Sequence, residues 1–232
     1  ISLNSGNSVY DSLINNGYDA YIFDFKKNEF KMLSNFLSSN KIDIVFNLIH
    51  GTGGEDGIVQ KLLDDIGVNY VGSNAESSKL SFSKIMTKQK WVDNGLKTPD
   101  YIKNPSVLLN IEKSPSLMAE NENLSLIFGD TNKYVLKPDK SGSSVGIKIS
   151  NNVKELSTSL ASVNSPYEEY FIEEYVEGHE YTAPIIGDTV FPIIKIETKR
   201  EFYDYQAKYI DDDTSFTFPE FKPDLLEKIE ST

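Results

Sequence analysis

The chain has no cysteine and only two histidines. Disulfides and thiolate metal sites are therefore excluded, which fits a reducing compartment. Apolar runs are short. Ile44–Phe46 with Leu48–Ile49 is among the longest, far below the ~20 residues a membrane-spanning helix needs. The opening residues show no charged-then-apolar leader. The expectation is a chain without a secretion signal, cytoplasmic and not membrane-bound. Positive charge is scarce as well. There are 23 Lys and Arg against 35 Asp and Glu, a net charge of −12. No basic stripe is visible, so nucleic acid is not an expected partner. Any anionic ligand must be held by a local cluster of donors, against the field of the whole molecule.

What is present is enough for one large or two small cores: 232 residues, 39% hydrophobic and 12% aromatic. Val9, Leu13 and Ile14 give 5–16 a helical spacing that stops at Gly17. Tyr18–Phe25 reads as a strand and 27–39 as a second helix. Ile42–Ile49 is an apolar strand followed by the loop "HGTGGEDG" (50–57). Ile58, Val59, Leu62, Leu63 and Ile66 mark one face of a helix closed by Gly67, and Val68–Val71 is a short strand. Strand, helix and strand with short links make a βαβ unit and a parallel sheet. Residues 76–94 read as one long helix carrying Lys79, Lys84, Lys88 and Lys90, broken at Thr98-Pro99. Residues 103–132 lack periodicity and read as a variable loop with room for one short helix. Strands follow at 133–138, 144–150 and Glu169–Val176, with a helix over 152–162. Gly187-Asp188 is a hairpin turn between two more strands. The expected fold class is α/β, with a parallel open sheet first and an antiparallel α+β part after about residue 98.

Two glycine-rich loops invite a chemical reading. "HGTGGEDG" lies between a strand and a helix, where backbone N–H groups and the helix dipole can hold an anion. It matches neither the dinucleotide fingerprint nor the common phosphate loop. A tight turn with Asp56 as helix cap, and His50 as a structural residue, explains it equally well. "SGSSVG" (141–146) joins two strands, and its small residues let the backbone approach a phosphate closely. Lys137 sits in the strand before it, between Leu136 and Pro138. A lysine there is awkward unless its charge has an anionic partner. Lys84 is either a second cation for the same phosphates or a solvated helix residue. "FIEEYVEGHE" (171–180) leaves a strand with backbone groups free for an adenine edge, and Glu180 can accept from ribose hydroxyls; a solvated acidic turn is the alternative. "EFYDYQAKYI" (201–210), with Tyr203, Tyr205, Tyr209 and Lys208, reads as a plain strand or as a loop closing over a charged ligand.

In order along the chain, "SLNSG", "LIHGTGGEDGIVQKLLDDIGVNYVGS", "SKIMTK", "YVLKPDKSGSSVG", "FIEEYVEGHEYT" and "FYDYQAKY" resemble D-alanine–D-alanine ligase, of the ATP-grasp fold. The resemblance covers nearly the whole chain. It implies an N-terminal α/β substrate domain (1–97), an ATP-grasp small subdomain (98–180) and the start of its large subdomain (181–232). It implies that ATP phosphorylates the carboxylate of one D-alanine, and that the amine of a second attacks the acyl phosphate to give a peptidoglycan precursor. Magnesium, with manganese as the alternative ion, is the implied cofactor beside ATP. Lys84 and Lys137 are implied on the ATP phosphates, with Ser143 and Ser144 in the loop above them. Glu173, Glu174 and Val176 are implied at the adenine-side hinge, Glu180 at the ribose, and His50 near the first substrate's carboxylate. Tyr209 and Ser143 are implied to lock the closing loop, from which Lys208 reaches the phosphates. The family's N-terminal glutamate and its metal-binding residues have no counterpart between residues 1 and 232. The expectation is a fragment missing both ends, inactive by itself, with no metal ligand assigned here and a homodimer when full length. A D-alanine–D-lactate ligase of the same fold and a catalytically silent ATP-binding protein are the alternatives.

Overall fold

The computed structural model describes residues 2–26, 29–103, 105, 124, 127–129, 131, 133–163 and 169–231. They form two compact units, Ile1–Thr87 and Lys88–Thr232.

The first unit runs α1 (Ser2–Asn15), α2 (Phe30–Asn40), β1 (Ile44–Phe46), α3 (Ile58–Ile66), β2 (Asn69–Val71) and α4 (Ala75–Phe82), and contains the start of α5 (Lys84–Asp93). β1 and β2 pair in parallel, Ile44 opposite Asn69 and Phe46 opposite Val71, as the βαβ reading requires. Leu33, Leu37, Val59 and Leu63 are the buried core, with Phe23, Phe25, Ile49 and Tyr70 packed on it. Val59 and Leu63 are one helical turn apart, so α3 presents one face to the sheet. The helix starts at Gly57, whose φ is 86°, and ends at Gly67, also left-handed, which donates to Leu63 O and Asp64 O.

Two expectations need correction. Tyr18–Phe25 forms no strand; Phe23 and Phe25 contribute side chains to the core instead. An apolar pattern reports burial, whereas a strand also needs a hydrogen-bonded neighbour, and β1 and β2 pair with each other. The single helix expected over 76–94 is two. Ser83 turns extended (φ −89°, ψ 112°) and its Oγ accepts from Met86 N at 3.2 Å, which caps the start of α5. Replacing Ser83 by alanine is expected to destabilise this unit by about 1 kcal/mol, the usual worth of a serine cap. Denaturant melts of the two proteins check it; equal midpoints would show that the hydroxyl does not start the helix.

The second unit is antiparallel. Its larger sheet is ordered β3 (Tyr101–Ile102), β6 (Tyr170–Glu174), β4 (Tyr134–Pro138), β5 (Lys148–Ser150). Helix α6 (Val153–Ala161) covers it and shares a core of Leu136, Leu156, Leu160 and Ile172 with Leu124, Phe128 and Tyr134. Asn152 caps α6 by accepting from Glu155 N at 2.9 Å. Strand β5 begins later than the sequence implies, because 144–147 belong to the glycine-rich turn. A second sheet is ordered β11 (Ser215–Thr217), β10 (Ile194–Glu197), β7 (Glu180–Thr182). β8 (Ile185–Ile186) and β9 (Thr189–Val190) close the hairpin at Gly187-Asp188, as expected. Between and after the last strands come the short helix α7 (Tyr205–Tyr209) and α8 (Pro223–Glu230). The parallel start and antiparallel continuation therefore hold. The expectation for 103–132 falls mostly outside the described residues. Among the described residues no helix is long and apolar enough to cross a membrane.

Candidate active site

Strand β4 is central in its sheet, between β5 and β6. Tyr134, Val135, Leu136 and Pro138 are buried, and Lys137 is the half-buried exception. Val135 is opposite Glu173 on β6, and Lys137 opposite Phe171. Lys137 and Glu173 are thus diagonal neighbours across the two strands, within reach of long side chains. They form an ion pair. The other oxygen of Glu173 accepts from Lys88 Nζ at 2.8 Å, and both of these side chains are 6% exposed. Lys88 also donates to Thr98 Oγ1 at 2.7 Å and to Pro99 O at 3.0 Å. Burial pushes the Lys88 ammonium below its ordinary pKa; the hydrogen bond and charge of Glu173 oppose that shift. Two cations share the one buried carboxylate of Glu173, and the charge of Glu174 also acts on Lys88.

The glycine-rich turn lies over the end of this strand. Ser143 and Ser144 have φ of 54° and 59°, a left-handed conformation that costs a non-glycine residue about 1 kcal/mol or more. Such strain persists only where the surroundings hold it, and here they do. Ser143 Oγ and Tyr209 Oη are 2.8 Å apart. Ser144 Oγ donates to Tyr203 O at 2.9 Å and accepts from Lys208 Nζ at 2.9 Å. The segment 203–209 therefore closes on the turn through three hydrogen bonds. It is a short helix rather than the strand that its alternation allows. Asp204 caps it, accepting from Ala207 N at 2.9 Å, and Arg200 Nη1 holds Asp204 at 3.2 Å. Burial lowers the pKa of Lys208, against the charges of Glu180 and Asp204.

Beneath lies a cavity of about 710 Å³, lined among others by Lys137, Ser144, Lys208, Glu174, Val176 and Glu180. Its lining combines the cations and hydroxyls with the end of β6 and the start of β7. Glu174 N donates to Asp100 O at 3.1 Å, and Tyr175 N to Lys133 O at 3.0 Å. Those bonds fix where β6 leaves the sheet. Lys133 Nζ sits 3.9 Å above the Tyr175 ring and pairs with Glu201 at 3.1 Å. Val176 is exposed. The side chain of Glu173 points at the lysines.

His50 and Lys84 belong to the first unit. His50 N donates to Ser2 Oγ at 3.0 Å, and Lys84 is the first residue of α5. The loop after His50 satisfies much of itself. Gly51 N donates to Glu55 at 2.9 Å and Gly53 N to Asp56 at 2.8 Å, while Ile58 N donates to Asp56 at 3.2 Å. Gly57, not Asp56, is the cap position. The amides of 51, 53 and 58 are thus committed to the turn rather than offered to an anion.

Sequence reasoning did not single out Lys88 or Arg200. Lys88 reads as one helix lysine among four, because its partner Glu173 is distant in sequence. Arg200 acts through Asp204, at helical spacing in a segment that is not helical.

A strand lysine under a serine-bearing turn, closed by a second lysine on a short helix, suits a reaction that must hold phosphates and shut out water. With its antiparallel sheets around one cavity, the second unit has the ATP-grasp fold. Comparison with known proteins narrows the class. The family described as "D-ala D-ala ligase C-terminus" matches residues 92–231, and "D-ala D-ala ligase N-terminus" matches 26–73. D-alanine–D-alanine ligase of Actinobacillus succinogenes is 36% identical over 220 residues, covering 94% of this chain and 67% of that protein. The crystal structure of D-alanine–D-alanine ligase from Bacillus anthracis superposes with a TM-score of 0.75 at 31% identity, covering 99% of this chain and 70% of that one. The same ligase complexed with ATP gives 0.72 at 29% identity, covering 99% and 69%. The chain belongs to the D-alanine–D-alanine ligase family, a family of ATP-dependent ligases. It spans about two thirds of the length of the relatives it matches, 67% and 65% for the first two.

Proposed function

We propose that the protein joins two D-alanines in the cytoplasm, with ATP as phosphoryl donor, to supply the dipeptide for peptidoglycan. The lock between Ser143 and Tyr209, 2.8 Å long and set over the Lys137 strand, carries this reading. The reaction needs a closed site: the γ-phosphoryl group moves to one carboxylate oxygen, ADP leaves, and water must not reach the acyl phosphate. The amine of the second D-alanine then attacks the acyl carbon and phosphate departs. Lys137, Lys208 and Lys84 hold phosphate charge. The hydroxyls of Ser143 and Ser144 keep the turn closed. Glu174 and Val176 take the adenine side through the backbone, joined by Glu173. Glu180 accepts from the ribose, and His50 faces the first substrate. The proposed domains are 1–97 for substrate, 98–180 as the ATP-grasp small subdomain and 181–232 as the start of its large subdomain, in a homodimer. Magnesium or manganese belongs to the family's chemistry, spreading phosphate charge. Among the described residues no group of three His, Asp or Glu fits such an ion.

The experiment, on a protein extended to the full length of its relatives, is ADP release with ATP, magnesium and D-alanine, followed by chromatography of the product. D-alanine-dependent ADP with matching dipeptide is expected. ADP release that ignores D-alanine would point instead to a nucleotide-binding protein without ligase activity. The lock gives a finer test. Tyr209→Phe removes one hydroxyl, so the fold should persist while closure weakens by about 1 kcal/mol. Discrimination between D-alanine and D-lactate as second substrate should loosen. A dipeptide-to-depsipeptide ratio unchanged across neutral pH would remove Tyr209 from this role.

A further inference from the structure

Glu173 carries two counter-ions where a buried carboxylate requires one. The two lysines are held differently. Lys88 is 5% exposed, bonded to Glu173, Thr98 and Pro99, and lies 5.0 Å from the centre of the Tyr101 ring. It is not among the residues that line the cavity. Lys137 has a side chain 27% exposed and lines the cavity. Lys88 is fixed in place on several sides, whereas Lys137 has room to move.

We infer that Lys88 is a positioning residue: it stays on Glu173, so that Lys137 can turn from that carboxylate to the phosphates of an entering nucleotide. The inference rests on the nucleotide reading above. Its physics is counter-ion exchange. With Lys88 charged, Glu173 remains neutralised when Lys137 leaves. With Lys88 neutral, Lys137 would abandon a buried carboxylate to reach a phosphate, and Glu173 would compete with the nucleotide for it. The mutual repulsion of the two ammoniums, which helps to lower the Lys88 pKa, also favours the departure of Lys137.

The test compares Lys88→Met, Lys88→Arg and the double variant Lys88→Met/Glu173→Gln with the parent, by ATP titration calorimetry and steady-state kinetics. Lys88→Met is expected to raise the Kd and KM for ATP about tenfold, the scale of one charge-assisted contact, with a much smaller change in kcat at saturating ATP. Lys88→Arg keeps the charge and should stay within about threefold of the parent. The double variant removes the competing carboxylate charge while glutamine keeps an acceptor oxygen for the adenine side, so it should recover part of the lost affinity. A purely structural role predicts no such recovery. A folded Lys88→Met protein with parental ATP affinity overturns the inference, as does a double variant no tighter than the single. Failure of Lys88→Met to fold overturns it too, because Lys137 would then be unable to neutralise Glu173 alone. Lys137→Ala separates the two readings. If it leaves ATP binding unchanged, the nucleotide site itself is wrong. If it weakens binding while Lys88→Met does not, only the exchange fails.

Discussion

Replacing Lys137 by alanine is expected to weaken ATP binding about tenfold or more and to remove nearly all turnover, since a charge-assisted contact is worth roughly 1.5–3 kcal/mol. The fold should survive. Removing one partner of a buried ion pair commonly costs about 3–5 kcal/mol because a charge is left uncompensated. Here Glu173 keeps Lys88 at 2.8 Å, so no carboxylate is orphaned. Turnover suffers more than binding because the same ammonium must follow charge that moves with the transferred phosphoryl group. Calorimetry with ATP and a thermal melt of the same preparation decide the matter. Unchanged affinity in a folded protein would take Lys137 out of the phosphate site. Lost affinity with a collapsed melt would make it a structural cation instead.

Gly57→Ala is expected to cause a large loss of stability in the first unit. The residue has a φ of 86°, and a Cβ built on it would lie 2.2 Å from Ala75 O. A left-handed alanine costs about 1–2 kcal/mol by itself. The clash is with backbone, which cannot rotate away, so α3 or the start of α4 must shift. Overpacking of this kind adds about 1–3 kcal/mol. Together they should lower the midpoint of this unit by roughly 10 °C or more. Gly67→Ala is the internal control: its φ is 72°, but nothing lies within 4 Å of the added Cβ. It should cost only the conformational part. Equal midpoints for the two variants would show that the approach of Gly57 to Ala75 does not constrain the fold.

The residues differ in how far their roles could be read before folding. Val59 and Leu63 announced a buried helix face by spacing alone, and Gly187-Asp188 announced a hairpin, because both are local rules. Ser83 is also a local signal, a serine three residues before Met86, yet it was hidden inside a run that looked continuously helical. Tyr18–Phe25 shows the opposite failure. Its apolar residues are indeed packed on the core, but hydrogen-bond pairing is decided by which other backbone lies alongside.

The site divides along the same line. Lys137 was conspicuous in the sequence because a lysine among Leu136 and Pro138 contradicts its surroundings, and the glycine-rich turn beside it is a local pattern of small residues. Composition and local order thus carried the fold class, the strand lysine and the turn. Folding alone gave Glu173 its two cations, put Ser143 against Tyr209 and Ser144 against Lys208, and made Lys88 a buried partner rather than a solvated one. The two serine contacts join residues 66 and 64 positions apart. Charge compensation and hydrogen bonding act through space, so a carboxylate's counter-ion is whichever ammonium the packed strands and helices bring beside it, whatever its distance along the chain.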